Sequence, residues 1–385
     1  MRKGFLSALL VSTVAAFPAA AETQGVSDDE VVIGAFQDLS GIFAAFGAPA
    51  TTAAQMYIEE VNAKGGVHGR KIRYVVEDHG YQVPKAVQAV NKLINRDKVF
   101  AMLLSLGTPH NLAAFKVMDK KGIPSVSPLS GARQMLQDPI KNKFASFSSY
   151  YDGISAGLSF MAKEKGAKTV CSMYIPSDFG KEIQAGTVDQ AKKLGLTYAT
   201  ETTHKPDETD YVGSLGKLKQ AGCDTVTLAL SVRGTITVVA TAKKLGWKDV
   251  KFLTSSAGFH TAVAKVPGGI TEGLYAGAGW QDLATRMNVP EVAAWVKKYT
   301  DRTGEKFPGT GALLGRTAVE TFVRALEAAG RDLTHESFIK AMEGLKYEDK
   351  IGGAMVDVGA DHVSSEKVYI SQIQGGNWKL LGEAN

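Results

Sequence analysis

Short apolar runs of strand length alternate with amphipathic helical segments along most of the chain, and this alternation limits the possible folds more than any other feature. The first such run is Val31 to Phe36, and the next covers residues 72–76. Between them, a helix expected to begin near Pro49 places apolar residues three or four positions apart. They are Ala50, Ala54, Tyr57 and Val61. The pattern predicts strand–helix–strand units and therefore parallel sheets.

Three predicted helices end in the same way, with lysines in the last turn and a glycine after them. The three segments are Lys120–Gly122, Lys192–Gly195 and Lys243–Gly246. Lysine complements the negative end of the helix dipole, and glycine adopts the left-handed conformation that ends a helix. The endings support the helix limits and carry no information on function.

The alternation starts again after Phe147, with strands predicted at 169–175, 226–230 and 252–254. The stretch 367–381 is typical of two strands joined by a glycine turn. Two successive runs of this kind predict two α/β lobes, each a mainly parallel sheet flanked by helices. Ligands bind beyond the carboxyl ends of the strands in such sheets. The loops expected there are rich in Gly, Ser, Thr and aromatic residues.

The first 21 residues are typical of a secretory signal peptide. Arg2 and Lys3 form a basic start, and Phe5 to Phe17 is apolar but too short to cross a bilayer. The small residues Ala19–Ala21 supply the cleavage site. No cysteine suitable for a lipid anchor lies near that site. We therefore expect residues 28–385 to fold in the periplasm.

Two cysteines are present, Cys171 and Cys223, each at or near a predicted strand. An oxidising compartment permits a disulfide between them. The sequence lacks the geometry that would decide the pairing. Two buried free thiols are the favoured expectation, and the disulfide stays open as the alternative.

Several functional classes are excluded or weakly supported. The net charge of +5 and the absence of a basic run argue against nucleic acid. Gly153–Gly157 matches the hydrolase pattern G-x-S-x-G, but Asp152 resembles a helix N-cap, which places Ser155 inside a first helical turn. Gly309–Gly311 with Gly315 imitates a dinucleotide loop with the wrong spacing and no strand before it. No Walker A motif or zinc-ligand spacing is found, so no cofactor and no metal are expected.

Distributed motifs make the chain resemble the periplasmic binding proteins of the leucine/isoleucine/valine type, which have the type I periplasmic binding protein fold. The most specific segment is Glu60–Ile72. The supporting segments are Val32–Gly34, Leu39–Gly41, Phe46–Gly47, Glu77–Asp78 with Pro84, Gly122–Pro124, Ser127–Pro128 and Ser177–Gly180. The resemblance covers nearly the whole chain after the signal peptide.

The resemblance implies two lobes joined by three crossings that close on a ligand like a hinge. Residues 28–146 and 277–354 are expected to form one lobe, and residues 147–276 and 355–385 the other. The resemblance also implies an inner-membrane ABC permease with cytoplasmic ATPases as partners. The protein itself is then expected to be a monomer, and to bind its ligand without acting as an enzyme.

The family pattern also implies ligand contacts. They fall on Phe46, Ser105, Gly107, Thr108, Leu129, Ser130, Tyr150, Tyr151, Phe179, Arg233 and Ser256. The physics of two first-lobe loops agrees, because helix N-termini present free N–H groups and Thr108 and Ser130 add hydroxyl donors. Such a cradle holds a carboxylate without a cationic side chain. Singly, each hydroxyl is more often a helix cap and each phenylalanine more often core.

One departure concerns the ligand's amine. Amino-acid-binding members carry an acid on a second-lobe loop, whereas the matching stretch here is Thr254–Ala257. A buried ammonium without a partner costs several kcal/mol. Asp152 and Asp178 are the alternative partners, and Arg233, if it faces the cleft, favours a second anionic group on the ligand.

Two other functions stay open. A sensory protein with the same fold needs a separate signalling partner, because the chain has no further membrane segment. A secreted serine hydrolase rests on Ser155 alone.

Overall fold

A computed structural model describes residues 23–384, and the predicted signal peptide lies outside them. Five parallel strands form the first sheet, in the order β2-β1-β3-β4-β5. They are β1 (Glu30–Gln37), β2 (Lys71–Asp78), β3 (Ala101–Leu103), β4 (Ser125–Val126) and β5 (Lys143–Phe144). The helices between them are α1 (Ala44–Ala63), α2 (Val83–Asn95) and α3 (Thr108–Lys121). This is the strand–helix alternation that the sequence predicted.

The second sheet has seven strands in the order β14-β13-β10-β9-β8-β6-β7. Its parallel strands are β6 (Thr169–Tyr174), β7 (Thr197–Thr203), β8 (Thr225–Ala229), β9 (Lys251–Thr254) and β10 (Tyr275–Ala278). Its flanking helices are α4 (Tyr150–Lys165), α5 (Asp178–Lys193), α6 (Val212–Gln220), α7 (Val232–Lys244) and α8 (Thr261–Ala264). The α/β fold class with mainly parallel sheets is confirmed.

The rest of the described chain joins both halves. Helices α9 (Pro290–Thr303), α10 (Thr310–Ala329) and α11 (His335–Glu343) precede a hairpin of β11 (Lys346–Asp349) and β12 (Ala354–Asp357). The chain then returns to the second sheet as antiparallel β13 (Val368–Gln374) and β14 (Asn377–Ala384). It thus passes between the sheets three times, after β5, β10 and β12. The lobe boundaries given above stay a prediction, because a lobe is defined by its motion against the other.

Helix α10 packs lengthwise against α1, and two glycines permit the close approach. A Cβ on Gly311 would lie 2.2 Å from the carbonyl oxygen of Phe46, and one on Gly315 2.2 Å from that of Ala50. The glycines that imitated a dinucleotide loop therefore serve helix packing. Within residues 23–384, no helix combines the length and the apolar character that crossing a membrane requires.

Helix α1 begins at Ala44, so the prediction of a start near Pro49 was wrong. Pro49 lies inside the helix, where it has no N–H to give to the carbonyl of Ala45. The imidazole of His260, beside the second sheet, contacts that carbonyl instead, with Nε2 3.2 Å from the oxygen. A donor from another part of the chain thus satisfies the carbonyl that the proline leaves free.

The expectation of two free thiols was also wrong. Cys171 on β6 and Cys223, just before β8, form a disulfide with their Cα atoms 5.9 Å apart. Because β6 and β8 are hydrogen-bonded neighbours, the two residues lie at the separation that a disulfide needs. The covalent link belongs entirely to the second sheet.

Candidate ligand-binding site

A cavity lies between the loops that follow the strands of the two sheets. Its atom-free space is about 460 Å³, part of it open to solvent. Aromatic rings dominate the lining, and none of the lining side chains is charged. The lining residues are Phe43, Phe46, Tyr81, Leu106, Gly107, Thr108, Leu129, Phe147, Tyr150, Phe179, Ser256, Ala257, Trp280 and Leu314. The cavity therefore suits a ligand with an apolar body and few polar groups.

The N-terminus of α3 forms the polar part of the first-sheet wall. Gly107 has φ of 100°, which a residue with a side chain rarely adopts. The Thr108 hydroxyl lies 2.8 Å from that of Ser130, and both are buried. A bridge between Leu106 and Leu129 ties their two loops together. Helix N–H groups and a hydroxyl therefore converge on the cavity, as the carboxylate cradle requires.

Two stacked histidines support this wall from behind. The rings of His79 and His110 are 4.4 Å apart. His79 accepts the N–H of Tyr81 at Nδ1, so its Nε2 carries the proton and donates to the Leu106 carbonyl, 3.1 Å away. Burial lowers the pKa of each histidine to about 4. Both rings are therefore neutral at pH 7 and add no cation to the site.

Asp38 is the carboxylate behind Phe43, and the backbone uses both of its oxygens. They accept the N–H groups of Gly41 at 2.6 Å and Phe43 at 2.8 Å. Burial raises its pKa above the ordinary value although these hydrogen bonds oppose the shift. Asp38 shapes the loop that carries Phe43 and does not line the cavity.

Hydrogen bonds and an ion pair join the two halves outside the cavity lining. Besides the contact of His260 with Ala45, the backbone N–H of Thr261 donates to the Thr310 hydroxyl at 3.0 Å. Elsewhere, Arg133 forms an ion pair with Glu182, with Nε 2.8 Å from Oε1. Residues beside the second sheet thus hold segments packed on the first. The two halves are therefore in direct contact at these places.

Seven of the eleven predicted contact residues line this cavity. They are Phe46, Gly107, Thr108, Leu129, Tyr150, Phe179 and Ser256. Ser130 lies one step behind them, joined to Thr108. Ser105 is buried and accepts the N–H of Phe36 at 3.4 Å, so it supports the loop instead of lining the cavity.

Tyr151 and Arg233, which were also predicted to contact the ligand, lie outside the lining of this cavity. The Tyr151 hydroxyl donates to Asp189 at 2.8 Å, and its ring lies under the guanidinium of Arg133. Arg233 is exposed and donates to the carbonyl of Asp207 at 3.3 Å. Tyr151 thus lies between α4, α5 and Arg133, whereas Arg233 faces solvent, so the cavity lining holds no cation that would favour a second anionic group on the ligand.

The acids considered as amine partners are also outside the cavity. Asp152 and Asp178 are exposed and lie in the first turns of α4 and α5. The N-cap of α4 is Ser149, whose hydroxyl accepts the N–H of Asp152, so the assignment of Asp152 as the cap was wrong. Ser155 is inside α4, where its hydroxyl donates to the carbonyl of Gly186 at 3.3 Å. No cluster of three His, Cys, Asp or Glu suited to a metal occurs among residues 23–384.

Sequence reasoning missed seven lining residues: Phe43, Tyr81, Leu106, Phe147, Ala257, Trp280 and Leu314. Some of them have neighbours that were predicted, so a wider window around Phe46, Gly107 and Ser256 would have found Phe43, Leu106 and Ala257. Phe147 and Trp280 lie where the chain passes between sheets, and no periodic pattern marks such positions. Leu314 lies on α10, where it resembles any core leucine.

Comparison with known proteins agrees with this architecture. The family model described as periplasmic binding protein matches residues 30–377. An amino acid binding protein of Pseudomonas aeruginosa is 28% identical over 226 residues, and the match spans 58% of each chain, so less than two thirds of that relative is covered. A Leu/Ile/Val-binding protein homolog of Brucella suis is 25% identical over 89% of this chain and 88% of its own.

A solved structure has the same fold. It is the fatty acid ABC transporter substrate-binding protein from Thermomonospora curvata, with a TM-score of 0.84 and 24% identity over 94% of this chain and 93% of its own. The family match over most of the length, with two parallel-dominated sheets around one cavity, identifies the chain as a member of the periplasmic binding protein family.

Proposed function

We propose that this protein captures a small carboxylic acid without an α-amino group and delivers it to an ABC importer. The observation that carries the proposal is the cavity lining, which is rich in aromatic rings and holds hydroxyls and a helix N-terminus but no charged side chain. The importer and the identity of the ligand belong to the proposal. The family membership does not depend on them.

The absence of a nearby acid argues against an amine on the ligand. Ser256 lies in the lining where amino-acid binders of this type carry an acid, and Asp152 and Asp178 face solvent. Glu182 is occupied by the guanidinium and backbone N–H of Arg133, at 2.8 and 3.2 Å. A buried ammonium would thus have no anionic partner in the lining, at a cost of several kcal/mol.

The carboxylate fits the wall built by Gly107, Thr108 and the buried hydroxyl of Ser130. Hydrogen bonds from N–H or O–H groups to a carboxylate contribute roughly 1.5–3 kcal/mol each. Aromatic side chains on the remaining walls would cover the apolar body of the acid. The cavity is thus polar at the N-terminus of α3 and apolar elsewhere.

Names of similar proteins support transport but point to different ligands. Two of the relatives described above are named for amino acids, and the similar structure is named as a fatty acid ABC transporter substrate-binding protein. The uncharged lining favours the second kind of ligand for this chain. A sensory protein with the same cavity would bind its ligand equally well, and an uptake assay in a deletion strain separates the two functions.

Titration calorimetry with matched ligands tests the proposal. Hexanoate and benzoate should bind, whereas hexanamide and benzamide should bind at least tenfold more weakly because they lack the charge. Leucine should bind more weakly than 4-methylpentanoate, which differs only in lacking the amine. Equal binding of acids and amides would refute the cradle, and preference for leucine would refute the absence of an amine.

A further inference from the structure

A second cavity lies directly behind the first, and three side chains separate them. Phe147, Trp280 and Leu314 line both cavities. The second cavity is bounded by residues from all three crossings, among them Ser146, Gly279 and Ser365. A ligand in the first cavity therefore contacts a partition whose rear side is not filled by protein.

Trp280 carries a donor in this partition that the protein does not use. The residue is 6% exposed, and its Nε1–H has no hydrogen-bond partner among residues 23–384. By contrast, the indole of Trp378 donates to the carbonyl of His260 at 2.9 Å. A buried donor without a partner costs about 1–3 kcal/mol, so such a group in a cavity wall is expected to meet an acceptor when the cavity is filled.

We propose that Trp280 selects ligands that carry an oxygen substituent: the bound acid has, besides its carboxylate, a hydroxyl or keto oxygen that accepts the indole N–H. This inference rests on the proposed function for the carboxylate and adds the second polar group. An indole nitrogen can only donate, so the recognised group must be an acceptor. The carboxylate cradle belongs to the first sheet, whereas Trp280 follows β10 of the second sheet, so the two contacts require different groups of the ligand.

The ring of Phe147 is the competing partner for this N–H. The two rings are 4.9 Å apart and inclined at 74°. An N–H directed at an aromatic face forms only a weak bond, well below that to an oxygen. If this contact is the role of the indole, Trp280 contributes packing and does not distinguish ligands.

The test compares the wild type with W280F, which removes the donor and keeps an aromatic ring. The probes are benzoate against 3- and 4-hydroxybenzoate, and hexanoate against 5-oxohexanoate and 6-hydroxyhexanoate. At least one oxygenated acid should bind more tightly than its parent to the wild type. W280F should lose about tenfold in affinity for that acid and less than threefold for the parent. W247F, a buried tryptophan outside both cavities, is the matched control and should change neither value.

Nitrogen-15 labelling of the four tryptophans gives an independent measurement. The resonance assigned to the Trp280 indole N–H should move downfield with the preferred oxygenated acid and not with its parent. Equal losses for both acids in W280F, or an unmoved resonance, would overturn the inference and leave the proposed function intact. Failure of the wild type to bind any acid would overturn both, and that result is visible before any variant is made.

Discussion

The two sheets build their sides of the cavity in different ways. On the first sheet, three residues other than glycine have positive φ just after strand ends: Tyr81 at 56°, Leu104 at 67° and Ser127 at 51°. Within the second sheet's own loops, from residue 167 to 274, only glycines have positive φ. The second sheet instead carries the disulfide, and its loops lead into helices, two of which are capped by the side chains of Ser231 and His260.

This difference indicates that the two sheets have different roles in the site. Left-handed backbone at residues other than glycine costs of order 1–3 kcal/mol each and persists only where surrounding contacts enforce it. On the first sheet, Nδ1 of His79 accepts the N–H of Tyr81. The Gln37 amide donates to the carbonyl of Leu104, and the Ser146 hydroxyl donates to that of Ser127. We infer that the first sheet holds the ligand site in a fixed shape and the second sheet closes over it as a stable cover.

The strongest test of this contrast is Gly107→Ala. A Cβ at this position would lie 2.3 Å from Nδ1 of His110, and the φ of 100° is itself unfavourable for alanine. We expect the free energy of unfolding to fall by about 3 kcal/mol and ligand affinity to fall at least tenfold. Urea unfolding and calorimetry measure both.

Gly216→Ala is the matched control on the second half. Gly216 lies inside α6, has ordinary φ, and a Cβ would meet nothing within 4 Å. Alanine there should stabilise the protein by about 0.5–1 kcal/mol and leave affinity unchanged. A Gly107→Ala variant that binds normally would show that the first-sheet loop is adaptable rather than fixed.

The second test removes the disulfide of the second sheet. Replacing Cys171 and Cys223 together by alanine opens a link between residues 52 positions apart and should lower the free energy of unfolding by about 2–4 kcal/mol. The disulfide lies on the strands away from the lining, so ligand affinity should change less than twofold. Urea unfolding of the variant, beside wild type with and without a reducing agent, measures the loss. A large change in affinity would contradict the idea that the second sheet's interior is independent of the site.

The alternation of strands and helices was predictable because strands buried on both faces of a parallel sheet appear as continuous apolar runs, and Val31–Phe36 is buried throughout. The disulfide was not, because it depends on β6 and β8 being neighbours across a long connection. The exposure of Arg233 could not be predicted, because a first helical turn can present a residue to the cavity or to solvent, and sequence does not fix that rotation. Trp280 was missed because a crossing segment has no periodicity to read.

The third test uses pH. Burial lowers the pKa of His79, His110 and His260 to about 4, below the ordinary 6.5. Between pH 4 and 6.5 the unfolded chain therefore binds more protons than the folded chain. The contribution of these neutral histidines to the free energy of unfolding is thus fully present above pH 6.5 and is lost as the pH falls towards 4. Each histidine contributes up to about 3 kcal/mol to that fall.

Replacing His110 by leucine should make the pH dependence of the free energy of unfolding less steep between pH 6.5 and 4, because one of the three histidines no longer contributes. Urea unfolding at several pH values gives the slope. An unchanged slope in the His110 variant would mean that this ring is not held neutral, and the wall it supports would be less rigid than we infer.

The smallest expected effect concerns the ion pair where the halves meet. Glu182 is 5% exposed at its side chain and Arg133 is 52% exposed, so solvent screens the pair and its contribution should stay below about 1 kcal/mol. Glu182→Gln keeps a hydrogen-bond acceptor for Arg133 and removes only the charge. If the pair exists only in the closed arrangement, its loss shifts the equilibrium towards the open one, and ligand affinity should fall about two- to fivefold. X-ray scattering of the Glu182→Gln variant without ligand should show a larger radius of gyration than that of the wild type, and saturating ligand should remove the difference.

Asp301→Asn, which breaks the exposed pair with Lys297 within α9, is the control and should alter neither ligand affinity nor the radius of gyration. If Glu182→Gln leaves both the affinity and the radius of gyration unchanged, the ion pair does not stabilise the closed arrangement. The two halves would then be held together by apolar contacts and by the contact of His260 with the carbonyl of Ala45.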